Sequence, residues 1–581
     1  MNLTKIARWN CVAPWGAFSD ALPGEGLSRF VDIAPCVPGE RISSFRRMGI
    51  QWLRPLGWVL SLSVAMTLTG AAREPVAAAR EETSGSVFSI PLLPLDIRMK
   101  DSAWRALSLQ TMESPKLYAE STVMSESGTW PSVGIKLKGS YGSFQSAEER
   151  PGLTLHFDKF KGARRFAGLT RLHLNNGSQD ETRLHEWLGG ELARAAGVPA
   201  GRAGHAWLTL QGRDRGLYVI RESFTPEFLS EWFGAPGKGD LYDAASGGDL
   251  QAGMEKDQGA EGEDAALLAL IDACNIEDAD SRRSAMEAVA DLSAWRSLFV
   301  AEVLLAHWDG YVQSANNYRL YRRPNDGRFA FILHGMDQIL GDPDAPVYTE
   351  FHSQASRALI GLPGEPERYA AEVRRQAETV WEAFDWTARI RSRAEALARA
   401  VSQKDEALAA ELRRSADDLV DRFERRRVRI RQAAHHPPER VELGPGGQIA
   451  LRDGWYRGNE SGAEFMPPDR DDGRAGWRLK ATDSTEASWR QTFWLPKGRY
   501  RFSAAIQTTG VVTESSGERR GAGLRVLGQE GRSSSWISGT RGPRLRHLDF
   551  EADGPVTLVL ELVALEGEVR FDSESLTLER R

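Results

Sequence analysis

The stretch His307-Trp-Asp-Gly-Tyr-Val-Gln-Ser-Ala-Asn-Asn-Tyr-Arg-Leu-Tyr321, read with His334-Gly-Met-Asp-Gln338, decides the architecture. The apolar residues from Leu292 to His307 recur at helical spacing, which predicts a helix ending near Trp308. Tyr318–Tyr321 and Arg328–Leu333 are strand-like runs around the turn Pro324-Asn-Asp-Gly327, so they predict a hairpin. An Asp and an Asn pair therefore precede the hairpin, and a second Asp follows it. The hairpin carries Asp309, Asn317 and Asp337 toward one edge. Two carboxylates and an amide oxygen are hard ligands, suited to Mg²⁺ with bound phosphates. Taken singly, the same residues also read as an N-cap and turn formers.

Upstream, Val133–Lys138 and Leu153–Phe157 predict a second hairpin, whose tip carries Lys138-Gly-Ser-Tyr-Gly-Ser-Phe144. Backbone N–H groups of such small-residue loops approach phosphate oxygens closely, because no Cβ obstructs them. Most Gly/Ser tips are nonetheless only turns. Arg171–Asn175 is a third strand. A helix is expected from an N-cap at Asp180 through Leu184, Leu188 and Leu192, stopped by Gly197 and Pro199. Ala206–Leu210 and Leu217–Ile220 form another hairpin. Residues 83–130, broken by prolines, read as edge strands and loops. Residues 366–434 are helical and rich in Arg, Ala and Glu. Strands followed by helices, with a short hairpin among them, give an α+β domain over residues 83–434.

After the linker His435-His-Pro-Pro438 the pattern changes to short strands with Gly turns: Trp489–Trp494, Gly498–Ile506, Gly523–Leu527, Val556–Leu562 and Val569–Phe571. Residues 440–581 therefore predict a β-sandwich, jelly-roll-like. Its Trp455, Trp477, Trp489, Trp494 and Trp536 either fill its core or stack on the sugar rings of a glycan partner.

The 581 residues allow roughly three or four domains. With 18 Trp and 22 Phe there is ample core material, which excludes a wholly disordered chain. The 74 basic and 80 acidic residues are well mixed, so nothing marks a nucleic-acid partner. Cys11, Cys36 and Cys274 make no disulfide framework and no zinc cluster. Residues 1–82 read as a targeting region and linker. Leu56–Ala72 carries no charge and is flanked by Arg46, Arg47, Arg54 and Arg73, the pattern of a secretory signal or signal anchor. A buried core helix is the alternative. The expected location is the cell envelope, the periplasm or the exterior, with a membrane contact only through that segment. Met48 is a candidate start.

Seven stretches in order carry a family resemblance: Ile135–Phe144, Arg150–Phe160, Leu172–Asn176, Ala196–Ala200, Gly216–Glu222, Asn317–Tyr321 and Gly335–Gln338. Over about residues 90 to 400 the chain resembles the CotH family, spore-coat-type proteins with an atypical protein-kinase-like fold. The resemblance implies ATP- and Mg²⁺-dependent phosphorylation of Ser or Thr in a protein substrate, a surface or coat protein. It implies Asp309 as the catalytic carboxylate, and Asn317 and Asp337 as metal ligands. Gly139, Ser140, Gly142 and Ser143 then form the phosphate-covering turn. Arg150 stands where many relatives carry Lys, and Lys138 is an alternative cation. Glu186 either pairs with that cation or is an exposed helix Glu. Glu222 falls where a nucleotide hinge would lie. The Lys-to-Arg departure also fits an inactive, kinase-like surface-binding protein.

Overall fold

The computed structural model describes residues 86–581, apart from 163, 235–238, 245–247, 260–263, 469–475, 514–519, 528 and 530–532. The expected targeting segment therefore lies outside the described residues.

Strand β1 (Leu93–Arg98), helix α1 (Asp101–Ser108), β2 (Ala119–Ser125), β3 (Gly128–Lys138), β4 (Gly152–His156), β5 (Arg171–Asn175), α2 (His185–Ala195), β6 (Ala203–Leu210) and β7 (Arg213–Glu222) build the first lobe. The strands close into a barrel in the order β1-β2-β3-β4-β5-β7-β6. Expected only as edge strands and loops, residues 93–98 instead seal the barrel by pairing parallel to β6, Leu93 opposite Ala206 through Ile97 opposite Leu210. Pro94 is tolerated because the β1–β2 ladder spans only Asp96–Arg98. Pro94 thus faces one neighbour, where its missing donor matters least.

Alternation sorts the barrel side chains. Ile135, Leu137, Leu153, Leu155, Leu172, Leu174 and Ile220 fill its interior. On the opposite face the register lines up Lys136, Thr154, His173 and Arg221 across β3, β4, β5 and β7. That polar row and Lys138 face the junction with the second lobe.

The second lobe begins with α3 (Pro226–Phe233), β8 (Asp240–Asp243) and β9 (Glu255–Gln258). It continues through α4 (Ala265–Asn275), α5 (Ala279–Val289), α6 (Leu292–Leu304), α7 (Tyr311–Ser314), β10 (Tyr318–Arg322) and β11 (Phe329–Leu333). These strands form a sheet in the order β11-β10-β8-β9. Helices α8 (Gln354–Ile360), α9 (Glu365–Gln376), α10 (Trp386–Ser402) and α11 (Glu406–His435), with a π turn at Ala377–Trp381, complete it. Helix α2 packs into the same apolar core as α6 and β11, so the lobes share material.

The remainder is all β: β12 (Glu439–Arg440), β13 (Gln448–Ala450), β14 (Tyr456–Met466), β15 (Trp477–Val512), β16 (Gly521–Val526), β17 (Gly539–Ala564), β18 (Glu566–Phe571) and β19 (Thr577–Arg580). Two of the expected short strands merge into the long β15, which folds back so that Trp477 and Ile506 both pair with Phe571. Trp455, Trp477 and Trp489 are buried in its core, whereas Trp494 and Trp536 are half-buried. This unit leans on α11: Arg429 donates to Gly458 O at 2.7 Å, and the His436 and Tyr456 rings stack at 4.5 Å.

One buried charge orders the junction of α6, α11 and the loop after β11. Arg426 of α11 is 0% exposed. It donates to Leu304 O at 2.9 Å, Val303 O at 2.5 Å and Pro343 O at 3.4 Å, and also to Ala345 O. A cation at the carbonyl end of α6 also complements the helix dipole. Burial nevertheless pushes its pKa down to about 10. Arg426→Met should cost about 3 kcal/mol through orphaned carbonyls, read as a Tm lower by roughly 5–10 °C. Arg426→Lys should recover little, because one ammonium cannot span both segments.

Candidate active site

The loop from α6 to β10 is held from below. Helix α6 is capped by Asp291, whose side chain accepts from Ala294 N, and it is apolar almost all round. It stops at Leu304, earlier than the expected Trp308, where Ala306 turns to a φ of 49°. Ala315 and Asn317 (each φ 47°) and Leu340 (φ 57°) also adopt left-handed backbone around this loop. Such conformations persist only when surrounding contacts over-determine them. Glu302, buried in α6, supplies two of those contacts by accepting from Tyr311 N at 3.2 Å and Val312 N at 2.9 Å. Burial pushes its carboxyl up to about 8, and the two N–H bonds work against that rise.

Within the loop, Asp309 and Asn317 meet directly. Asn317 Nδ2 donates to Asp309 Oδ2 at 2.7 Å and to Asp309 O at 3.0 Å, while Asn316 Nδ2 donates to Asp309 Oδ1 at 3.0 Å. With its nitrogen committed to Asp309, Asn317 turns Oδ1 toward Gly335. A Cβ on Gly335 would lie 2.3 Å from that oxygen, and its φ is 61°, so both space and backbone demand glycine. His307 Nε2 donates to His334 O at 2.9 Å, fastening the loop to the end of β11.

Asp337 follows two residues after Gly335. Its carbonyl accepts from His185 Nδ1 at 3.0 Å. Gly189 of α2 lets the helix approach closely, because a Cβ there would lie 2.7 Å from Met336 Sδ. Its carboxylate accepts no hydrogen bond among the described residues, which leaves its lone pairs open. No cluster of three or more His, Cys, Asp or Glu suited to a metal occurs among the described residues. The set is two carboxylates and one amide.

From the first lobe come Lys138, Asn175, Glu186 and Arg221. Lys138 Nζ donates to Asn175 Oδ1, whose Nδ2 donates to Glu186 Oε1 at 3.3 Å. Arg221 Nη1 is 3.3 Å from Glu186 Oε1 and 2.6 Å from His334 Nδ1. Burial first, then Arg221, pushes Lys138 down to about 7, against the pull of Glu186 and Asp337. Burial raises Glu186, and Arg221 opposes that.

Several expectations need correction. Glu186 is 2% exposed rather than a surface residue, and its direct ion pair is with Arg221, not Lys138 or Arg150. Arg150 donates to Leu217 O at 2.7 Å and Asn176 O at 3.3 Å, with its guanidinium over the Tyr218 ring. The Gly139–Ser143 turn, expected to offer amides, uses several itself. Ser140 N donates to Ser143 Oγ, and Ser143 N and Phe144 N donate to Ser140 O. Gly142 has a φ of 80°, and Tyr141 beside it is 81% exposed. Glu222 ends β7 where the chain leaves the first lobe, but its carboxylate is held by Arg202. Helix α2 starts at His185 rather than at Asp180. Asp180 instead binds the Thr182 hydroxyl and amide and the His185 amide.

The family model described as CotH kinase protein matches residues 135–428. The chain belongs to the CotH kinase protein family. No curated protein matches it. Among solved structures, the Helicobacter pylori proinflammatory kinase CtkA aligns at 9% identity over 51% of this chain and 96% of its own, with a TM-score of 0.23. TmCBM61, solved with β-1,4-galactotriose, aligns at 14% identity over 22% of this chain and 88% of its own, TM-score 0.17. The enzymatically active domain of bacteriophage CBA120 tailspike protein 4 aligns at 13% identity over 24% of this chain and 21% of its own, TM-score 0.15.

From sequence alone His307 and His334 read as structural, without a partner pattern, and Arg221, Asn175 and Glu302 carry no assigned role. Glu302 had a signal, a lone acid in the apolar run Leu298–Leu305. Its titration gives a test. A carboxyl raised in the fold favours the native state while protonated, and that contribution fades as pH climbs from about 4.5 through about 8. The Tm of wild type relative to Glu302→Gln should therefore fall across that window and level off above it. A difference independent of pH contradicts the assignment.

Proposed function

We propose that this CotH family member transfers the γ-phosphoryl group of ATP to a Ser or Thr hydroxyl of a protein. The observation that carries the reading is the meeting, where the two lobes join, of Lys138 and Glu186 with the Asp309–Asn317 pair and the open carboxylate of Asp337. Asp309 accepts the proton of the attacking hydroxyl, since each of its oxygens keeps a lone pair beyond the one used by Asn316 or Asn317. The new P–O bond forms at the substrate oxygen as the bond to the β-phosphate breaks. Burial lowers the pKa of Lys138 to about 7, and an anionic phosphate would favour its protonated form. Asp337 and Asn317 Oδ1 are the hard ligands that would hold Mg²⁺, which supplies charge neutralisation of the phosphates.

The competing reading is an inactive scaffold with a kinase-like fold. The amides used inside the Gly139–Ser143 turn and the carbonyl-bound Arg150 favour it. In either case we place the protein outside the cytoplasm through residues 56–72. The C-terminal unit serves as a β-sandwich that offers Trp494 and Trp536 to a glycan.

Calorimetry and labelled-phosphate transfer on two variants separate these readings. Asp337→Ala should lose both MgATP binding and transfer. Asp309→Ala should lower transfer by roughly 100-fold or more, while loosening Asn317 costs only a few-fold in affinity. Both should stay folded. Two variants that bind ATP like wild type, beside a wild type that transfers nothing, favour the scaffold.

A further inference from the structure

Given phosphoryl transfer at this site, we propose that Arg221, not the lysine of β3, is the positioning residue that joins α2 to the Asp337 turn, leaving Lys138 to meet the nucleotide phosphates. Arg221 lies on β7, inside the polar row of the barrel. One guanidinium nitrogen reaches both Glu186 of α2, at 3.3 Å, and His334 Nδ1, at 2.6 Å. A guanidinium only donates, and of the two ring nitrogens it faces Nδ1 is at 2.6 Å and Nε2 at 3.5 Å, so Nδ1 accepts and the His334 proton falls to Nε2. Burial and Arg221 hold that imidazole far below its ordinary pKa, hence neutral.

His334 is the first residue after β11, three before Asp337. Its carbonyl also accepts from His307, two residues before Asp309. Arg221 therefore touches, through one imidazole, the two segments that present Asp337 and Asp309. Glu186 completes the span: it lies beside His185, whose Nδ1 donates to Asp337 O. Lys138, by contrast, is linked to Glu186 by hydrogen bonds through Asn175. Among the described residues its hydrogen-bond partner is one amide oxygen, and the protonated amine keeps two further donors for a phosphate. A buried carboxylate without a cation is costly, so Glu186 and Arg221 must act as a pair.

The test is native-state hydrogen exchange on the full chain together with MgATP affinity. Arg221→Met should raise exchange at residues 334–338 by about tenfold or more, the coupling expected within one charge network. Arg221→Lys should restore part of the protection. Lys138→Met should leave exchange there unchanged while lowering MgATP affinity. The His334 Nδ1 nitrogen resonance should move in Arg221→Met and stay in Lys138→Met. If Arg221→Met proves unstable, the Glu186→Gln/Arg221→Met pair removes both charges, and its exchange at 334–338 should exceed that of Glu186→Gln alone, which keeps the bond to His334. Unchanged exchange at 334–338 in Arg221→Met, or an equal rise in Lys138→Met, overturns the assignment of Arg221. Protection that depends on Arg221 in a protein whose wild type binds no MgATP upholds the coupling and removes the nucleotide role of Lys138.

Discussion

Two buried side chains, the Arg426 guanidinium and the Glu302 carboxyl, grip the backbone on either side of the bend that presents Asp309. Arg426 takes the carbonyls at the end of α6 and those of the loop beyond Asp337. Glu302 takes the first amides of α7. Helix termini leave such groups unsatisfied, and a chain that stops a helix inside a core must find partners for them. Arg426 is charged, so its bonds to those carbonyls are stronger than neutral ones. The left-handed residues Ala306, Ala315 and Asn317 can then be held in place.

With the loop fixed, the rest of the site is assembled by close approach. Glycine at 335 admits the Asn317 side chain, and glycine at 189 brings α2 onto Met336. The barrel presents a polar row outward because the alternate positions of β3, β4 and β5 are apolar and fill its interior. Lys138 and Arg221 therefore project into a junction of low dielectric, where charges perturb one another strongly. The depressed pKa of Lys138 and the raised one of Glu186 are consequences of that placement.

Local features were legible in the sequence. The β3–β4 and β10–β11 hairpins follow from alternation and turn residues, and the order Asp309, Asn317, Asp337 follows from their place around a hairpin. What was hidden depends on partners far apart in the chain. Barrel closure needs residues 93–97 to find 206–210. The partner of Glu186 is 35 positions away on β7, and Arg150 and Lys138 lie at similar separations, so spacing along the chain does not single out Arg221. Arg426 sits among neighbouring arginines, and only its place on the stripe with Leu419, Phe423 and Ile430 sets it apart. Glycine loops read as open to a ligand because sequence does not reveal which amides a turn uses for itself.

The central claim is that the junction of the two lobes performs phosphoryl transfer. The direct measurement is transfer of labelled phosphate from ATP to protein by purified residues 83–581, with Mg²⁺ and with the metal chelated. The account predicts label on Ser or Thr with the metal and none without it. No label in the presence of Mg²⁺, from protein shown to be folded, would contradict it.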